Sequence, residues 1–306
     1  MISLGIDTSN YTTSAALFDS STGEMKSLRR LLTVRPGELG LRQSEALFQH
    51  VTALPELIKA LFENETRFQN AIGVSVRPCD FEGSYMPCFL AGKSVAESLG
   101  AASGVPVKAF SHQAGHIAAV LWDAKRPDLL TREFLAFHVS GGTTDAVLVR
   151  PGKNVPFVIE KQAGSLDLKA GQAIDRVGQM LDLPFPAGKA LDELSLRSSE
   201  EYKVKTYIRD GSVSLSGVEN QSRTMLEKGE PPANVAKFCL THIVSAVDAM
   251  AEALLARFPG LPLVFSGGVS SNTLLRNAMT AKYGAVFSLH GYGADNAAGV
   301  AYLASL

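Results

Sequence analysis

The sequence predicts an α/β protein of two lobes, and three observations support that fold class. Short apolar runs typical of strands alternate with stretches whose apolar residues recur at helical spacing. Three strands end in turns rich in glycine or hydroxyl residues, at 8–14, 140–144 and 266–272. The pattern of strand, Thr-Thr turn and strand occurs twice, roughly 130 residues apart, which indicates an internal duplication.

Composition limits the classes of function. The chain has 306 residues, 46% of them hydrophobic, and a formal net charge of -1. That length permits a substantial core, and that charge excludes a generally basic surface but not a local basic patch. The three cysteines form no CxxC pair, so we expect neither a disulfide framework nor a cysteine zinc site. Without a signal-type segment or an apolar run of membrane-spanning length, we expect a cytoplasmic protein with no membrane partner.

The first lobe is predicted over residues 1–108, and its first strand ends in a carboxylate. Residues 2–7 form an apolar strand that ends at Asp7. An acidic residue there orients a metal ion or a water beside phosphates, or it caps the following turn, and the sequence leaves both open. The polar segment 19–43 carries several arginines, which indicate either a solvated loop or a contact with nucleic acid.

The rest of the first lobe alternates helices and strands. Apolar spacing and turn residues predict, in order, a helix over 44–63, a strand over 71–76, an irregular loop over 77–87, a helix over 88–101 and a strand over 106–110.

Two histidines open the second lobe, which is predicted over residues 109–294. Ser111 is expected to cap a helix, so that His112 and His116 share one helical face, about 6 Å apart at Cβ. Two imidazoles at that spacing can bind one divalent metal ion, although chance or a capping role produces the same spacing. Position 113 is Gln, so the general base of the HExxH metalloprotease motif is absent.

A Gly-Gly turn lies between two apolar strands of the second lobe. Adjacent Gly141 and Gly142 leave backbone N–H groups uncovered, so a phosphate oxygen can bind against them. The hydroxyls of Ser140 and Thr143 add neutral donors. An ordinary Gly-Gly hairpin has the same pattern, and this alternative stays open.

The remainder of the chain contains two further candidate sites at helix starts. The expected order is a sheet edge over 157–164, a helix over 171–181, a break at 184–188, a surface excursion over 196–230, a helix over 235–258 and a strand over 261–265. Gly267 and Gly268 then precede a helix, where exposed N–H groups suit phosphate or adenosine. Asp295 starts the terminal helix, over 295–306, which is expected to pack back on the first lobe. Asp295 is either a helix cap or a metal ligand.

Taken in order, these motifs resemble those of one family. They are Ile6-Asp7-Thr8-Ser9, His112-x3-His116, Val139-Ser140-Gly141-Gly142-Thr143-Thr144, Ala173-Ile174-Asp175-Arg176-Val177 with Leu183-Pro184-Phe185-Pro186-Ala187-Gly188, Ser266-Gly267-Gly268-Val269-Ser270-Ser271-Asn272 and Asp295-Asn296-Ala297-Ala298. Their order and spacing are similar to those of the tRNA N6-adenosine threonylcarbamoyltransferases (TsaD, the catalytic subunit of KEOPS, formerly called O-sialoglycoprotein endopeptidase).

The resemblance covers nearly the whole chain and implies both a fold and a reaction. The fold is the two-lobed actin/hexokinase-type, ATPase-like α/β fold with a duplicated mixed-sheet core. The reaction transfers a threonylcarbamoyl group from threonylcarbamoyl-AMP to N6 of adenosine in the anticodon loop of tRNA. The implied partners are tRNA and the small proteins of the threonylcarbamoylation complex.

The resemblance also implies the site residues. His112, His116 and Asp295 would hold one divalent metal, Fe or Zn, with Mg accompanying the nucleotide; His138 replaces an archaeal tyrosine and would add an imidazole. Residues implied to bind ATP or threonylcarbamoyl-AMP are Asp7, Ser9, Val139, Ser140, Gly141, Gly142, Thr143, Asp175, Gly188, Asp192, Gly267, Gly268 and Asn272. No catalytic base is evident from the sequence.

Several departures from the family pattern leave a second hypothesis open. Asp7 stands where the family usually has Glu, Thr143 where it has His or Asn, and Glu219 where it has Lys. The loop 77–87 replaces a glycine-rich one. The alternative is therefore a nucleotide-binding paralogue, or a non-catalytic partner subunit, with a different acceptor. A metalloprotease is disfavoured because the HExxH glutamate is missing.

Overall fold

The computed structural model describes residues 1–9, 11–34, 41–63, 70–153, 155–294 and 296–306. Contacts divide the chain into two compact units. Unit 1 comprises Met1–Leu130, Gly152–Val158 and Ser288–Leu306, and unit 2 comprises Thr131–Pro151 and Ile159–Phe287.

The strands and helices follow one another along the whole chain. The strands are β1 (Ile2–Ser9), β2 (Thr12–Asp19), β3 (Met25–Leu31), β4 (Ile72–Arg77), β5 (Val107–Ser111), β6 (Phe134–Val139), β7 (Thr144–Pro151), β8 (Phe157–Gly164), β9 (Ile208–Arg209), β10 (Ser212–Val213), β11 (Leu263–Ser266) and β12 (Val286–Phe287). The helices are α1 (Gln43–Leu61), α2 (Phe89–Ser103), α3 (His112–Asp123), α4 (Ala170–Met180), α5 (Gly188–Ser195), α6 (Gly217–Glu227), α7 (Pro232–Arg257), α8 (Thr273–Tyr283) and α9 (Asn296–Ser305).

Unit 1 is built on a mixed sheet with the strand order β3-β2-β1-β4-β5. β1 pairs antiparallel with β2 and parallel with β4, so it is the central strand, and Leu4 and Ile6 are fully buried. The polar segment over 19–43 was expected to be a loop, but it contains the edge strand β3. Among the described strands β3 pairs only with β2, and it is largely exposed, which explains why its sequence lacks a clear apolar alternation.

Helix α3 belongs to unit 1 because it packs along α9, which covers β1 and β4. Glycines make this contact possible. A Cβ on Gly299 would lie 1.8 Å from the carbonyl oxygen of Gly115, and a Cβ on Gly5 would lie 2.0 Å from that of Ala297. The division between the units therefore falls after Leu130 and not after residue 108, and His112 and His116 lie in unit 1.

The sheet of unit 2 repeats the plan of the first sheet. Its strand order is β12-β11-β6-β7-β8. The central strand β6 pairs antiparallel with β7 and parallel with β11, as β1 does with β2 and β4. The sequence prediction of a duplicated mixed-sheet core is confirmed. The predicted surface excursion over 196–230 is more ordered than expected, because it contains the β9–β10 hairpin and α6.

Helix α7 is the long core helix of unit 2. Among the described helices, it alone is long and apolar enough to cross a membrane, a property that the sequence analysis did not anticipate. Half of its most apolar stretch is buried inside the protein. Val235, Leu240 and Val247 join the main apolar cluster of the unit, so packing accounts for its composition.

Candidate functional site

Asp7 lies at the centre of a buried polar network in unit 1. The residue is 1% exposed. Its Oδ1 accepts a hydrogen bond from the amide of Ser9 at 3.1 Å, which is the turn cap that the sequence left open. Its Oδ2 lies 2.9 Å from Nδ1 of His112. Burial raises the pKa of this carboxyl. His112 and the hydrogen bonds lower it by a larger amount, so the pKa falls well below its usual range and Asp7 is ionised.

His112 and His116 face each other across one turn of α3. Ser111 caps this helix by accepting a hydrogen bond from the amide of Ala114 at 3.0 Å, as the sequence predicts. The two Nε2 atoms are 2.9 Å apart. Nδ1 of His116 lies 3.0 Å from the carbonyl oxygen of Gly293. A carbonyl only accepts, so His116 carries its proton on Nδ1 and turns a lone pair on Nε2 toward His112.

The tautomer of His112 decides what lies between the two rings. Among the described residues, its Nδ1 lies near Asp7 Oδ2 at 2.9 Å and the Nδ2 amide of Asn296 at 2.7 Å. With the proton on Nδ1, directed at the carboxylate, both Nε2 atoms present lone pairs, as they do around a bound cation. With the proton on Nε2, His112 donates to His116 and no cation is required. The first arrangement matches the carboxylate–histidine–metal relay common in metal sites.

Asn296, the first residue of α9, connects this network to that helix through hydrogen bonds. Its Nδ2 donates to Asp7 Oδ2 and lies 2.9 Å from the hydroxyl of Ser75. Its Oδ1 is buried and has no hydrogen-bond partner among the described residues. That oxygen lies against Gly115, where a Cβ would come within 1.8 Å, so only glycine fits there. Asn296 was not among the predicted site residues, although it is part of the motif that begins at Asp295.

Only part of the predicted metal-ligand set can be located in the described residues. Asp295 lies outside the described residues, and His138 lies in unit 2, where its Nδ1 is 3.0 Å from the Ser266 hydroxyl. Across the ranges that the structure describes, no three His, Cys, Asp or Glu side chains are grouped so that they could hold one ion. The pair His112 and His116 is the part of the set that is found together.

The turn between β6 and β7 presents unused backbone donors. The amide of Ser140 donates to the carbonyl of Thr143 at 2.8 Å, and the amide of Thr143 donates to the Ser140 hydroxyl at 3.2 Å. Gly141 and Gly142 are exposed, and their amides have no acceptor in the described part of the chain. Two adjacent N–H groups at a strand end are donors that an anion could accept from.

Two close backbone contacts hold this turn in place. The amide of Gly171 donates to the carbonyl of Ser140 at 3.1 Å, and a Cβ on Gly171 would lie 2.6 Å from Cα of Gly141. Gly267 has a φ of +89°, and its Cβ would lie 2.4 Å from the carbonyl oxygen of Val139. Neither position tolerates a side chain. Gly268, next to it, is exposed.

Of the remaining predicted nucleotide residues of unit 2, Gly188 and Asn272 lie at helix starts, whereas Asp175 lies within α4 and Asp192 within α5. The carboxylate of Asp175 accepts from the amide of Ala187 at 2.8 Å, just before Gly188 begins α5, and burial raises the pKa of Asp175. Asp192 accepts from Nδ2 of Asn272 at 2.8 Å and from the amide of Thr273 at 3.0 Å. Asn272 caps α8 through the amide of Leu275 at 3.0 Å. Asp192 therefore positions Asn272.

Comparison with solved structures identifies the fold class. Component A of (R)-2-hydroxyglutaryl-CoA dehydratase from Acidaminococcus fermentans matches with a TM-score of 0.57 at 17% identity, covering 99% of this chain and 96% of that one. The ROK hexokinase from Thermus thermophilus gives 0.54 at 16%, covering 99% and 98%. Full-length HypF gives 0.62 at 13%, covering 99% and 55%. These matches confirm the predicted actin/hexokinase-type α/β fold.

Comparison of sequences identifies the family. The model of TsaD, tRNA N6-adenosine threonylcarbamoyltransferase, matches residues 36–302. The protein of that name from Streptococcus suis (strain 05ZYH33) is 30% identical over 246 residues, covering 76% of this chain and 69% of the relative. Its namesake from Nitrosomonas europaea is 27% identical over 290 residues, covering 91% and 83%. The chain belongs to the tRNA N6-adenosine threonylcarbamoyltransferase family of transferase enzymes.

Proposed function

We propose that this chain transfers a threonylcarbamoyl group from threonylcarbamoyl-AMP to N6 of adenosine in tRNA. The proposal is carried by the paired Nε2 atoms of His112 and His116, 2.9 Å apart and backed by a buried carboxylate. Family membership supports the reaction class, and the names of the relatives supply the acceptor. The exposed amides of the Ser140–Thr143 turn suit the phosphate of such a donor.

The residues of unit 1 fit a divalent metal. In the tautomer with both Nδ1 atoms protonated, His112 and His116 offer neutral imidazole nitrogens, which suit Fe or Zn. Asp7 and the carbonyl of Gly293 would fix the orientation of the two rings. Asp295 is proposed as a further ligand from the family resemblance, and His138 likewise. When bound, the ion supplies a Lewis acid for carbonyl or phosphate oxygens.

The residues of unit 2 would bind the adenylate. We propose that the amides of Gly141 and Gly142 hold phosphate oxygens and, with the hydroxyls of Ser140 and Thr143, stabilise negative charge that develops on the departing AMP. Asp175 and Gly188 would face the ribose. Mg would accompany ATP when ATP is the ligand.

The reaction itself needs few groups from the protein. N6 of adenosine forms a bond to the carbonyl carbon of the threonylcarbamoyl group, the bond from that carbon to the phosphate oxygen breaks, and AMP leaves. N6 releases one proton to the medium. The protein therefore acts mainly by holding both reactants and by stabilising the leaving phosphate.

Metal and nucleotide binding should be measured on the same purified protein. We expect one equivalent of Fe or Zn on the wild type, loss of that metal in His112→Ala, and a 10- to 100-fold weaker metal affinity, roughly, in Asp7→Asn. His290→Ala is the control, because His290 is an exposed imidazole that lies outside the pair and contacts Asp123 instead. Metal retained in His112→Ala would contradict the proposed role of the pair.

The transfer should be measured with threonylcarbamoyl-AMP and a tRNA transcript, with and without candidate small partner proteins. Threonylcarbamoyladenosine in the recovered tRNA is the expected product. Nucleotide binding without modification of any tRNA would instead support the paralogue or the non-catalytic subunit.

A further inference from the structure

A segment of unit 2 before β9 separates its side chains into two faces. Over residues 202–207 the side chains alternate between half-buried and exposed. Tyr202 anchors the inner face, with its ring 5.5 Å from that of Phe238 on α7 in an edge-on contact. At the other end, the amide of Ser214 donates to the carbonyl of Tyr207 at 3.2 Å. The segment is therefore held against the core with one face outward.

The outward face carries positive charge and an aromatic ring. Its members, which we call the basic strip, are Lys203, Lys205, Tyr207 and Arg209, and all four are exposed. Alternation with a period of two is typical of an extended chain, in which alternate side chains lie roughly 7 Å apart. The strip has three positive charges in a chain whose formal net charge is -1. Glu200, Glu201 and Asp210, which are also exposed, flank the strip, so the positive charge is confined to residues 203–209.

The charges of the basic strip are available to a partner. Among the described residues, Lys203 and Lys205 have no acidic group within 4.0 Å. Arg209 has only its neighbour Asp210 at 3.8 Å, and both side chains are strongly exposed, so that pair is weak. Tyr207 is 61% exposed, which leaves its ring face open to stacking.

We propose that the basic strip binds a single-stranded segment of RNA. Lysines interleaved with an exposed aromatic ring are the combination that holds such strands, because cations contact phosphates while the ring stacks on a base. An acidic protein segment would use the lysines but gain little from the ring. The inference rests on the proposed function in one respect: the RNA that this chain would meet is its tRNA substrate.

The test uses fluorescence anisotropy with the full chain and two labelled RNAs, an anticodon stem–loop and a blunt duplex of equal length. Binding is measured over a range of salt concentrations. The variants are the double substitution Lys203→Ala/Lys205→Ala, Tyr207→Ala and Tyr207→Phe. Lys228→Ala is the matched control, because Lys228 is an exposed lysine at the end of α6. Unchanged ATP binding shows that each variant is folded.

The double variant should reduce the slope of log Kobs against log salt by about 1.4 for the stem–loop. Tyr207→Ala should raise the Kd for the stem–loop roughly 5- to 150-fold and leave duplex binding unchanged, whereas Tyr207→Phe should retain wild-type affinity. Lys228→Ala should leave the slope unchanged.

An unchanged slope in the double variant, or equal losses in Tyr207→Ala and Tyr207→Phe, would overturn the inference. Displacement of the stem–loop by polyglutamate as readily as by unlabelled RNA would overturn it as well. If the wild type binds RNA through the strip but forms no threonylcarbamoyladenosine, the proposed function is wrong and the RNA-binding inference stands. If the wild type modifies tRNA and the strip variants bind the stem–loop normally, the RNA-binding inference is wrong and the proposed function stands.

Discussion

Replacing Gly171 with alanine should displace the turn that carries the proposed phosphate donors. The new Cβ would lie 2.6 Å from Cα of Gly141 and 2.8 Å from the carbonyl oxygen of Ser140, whereas ordinary contact begins at 3.4 Å. Both neighbours are backbone, so the turn must move by about 0.8 Å. Such overpacking costs about 1–3 kcal/mol of stability, partly offset by the gain of about 1 kcal/mol in helix propensity.

The same displacement should weaken nucleotide binding. A hydrogen bond to a charged group contributes about 1.5–3 kcal/mol, so losing one well-aligned amide would raise Kd roughly 10- to 150-fold. Isothermal titration with a non-hydrolysable ATP analogue measures this, and urea unfolding measures the stability. Gly217→Ala is the control, because its Cβ would meet only the flexible Gln221 side chain, at 3.1 Å. Wild-type affinity in Gly171→Ala would refute the assignment of the turn.

Two further predictions concern stability and pH. Burial lowers the pKa of His50 to about 4 against the attraction of Asp7. Between about pH 6.5 and 4 the unfolded chain therefore binds more protons at this residue, and the free energy of unfolding should fall by on the order of 2–3 kcal/mol as the pH drops, a contribution that His50→Gln should remove from the pH dependence measured by urea unfolding. Burial raises the pKa of Asp123, but hydrogen bonds from the Ser288 hydroxyl and from the amide and ring of His290 lower it by more, so the net pKa lies below its usual value. Asp123→Asn should lower the free energy of unfolding by about 1–3 kcal/mol at pH 7. This difference from the wild type should vanish as the pH falls below about 4. Equal free energies of unfolding for the two proteins in urea at pH 7 would contradict the prediction.

The sequence predicted the elements whose signal is local. The helical spacing of His112 and His116 and the Ser111 cap depend only on residues a few positions apart, and both are present. β3 was missed because an exposed edge strand has no apolar face to reveal it. The boundary after residue 108 was misplaced because α3 joins unit 1 through the contact of Gly115 with Gly299, which no local periodicity encodes.

The candidate site shows the same limit. The motifs located Asp7 and His112 separately, but their hydrogen bond joins residues 105 positions apart in the chain. Asn296 lies 184 positions from His112, and only the packing of α9 brings the two together. Pairings of this kind depend on tertiary structure, so the sequence could indicate the members of the network but not their partners.

The amount of threonylcarbamoyladenosine formed in tRNA tests the central claim most directly. Nucleoside mass spectrometry should compare the metal-loaded wild type, His116→Ala and His290→Ala, each with threonylcarbamoyl-AMP and the same partner proteins. We predict product from the wild type and from His290→Ala and its loss in His116→Ala. Equal product from His116→Ala, or none from a wild type that binds nucleotide, would contradict the account.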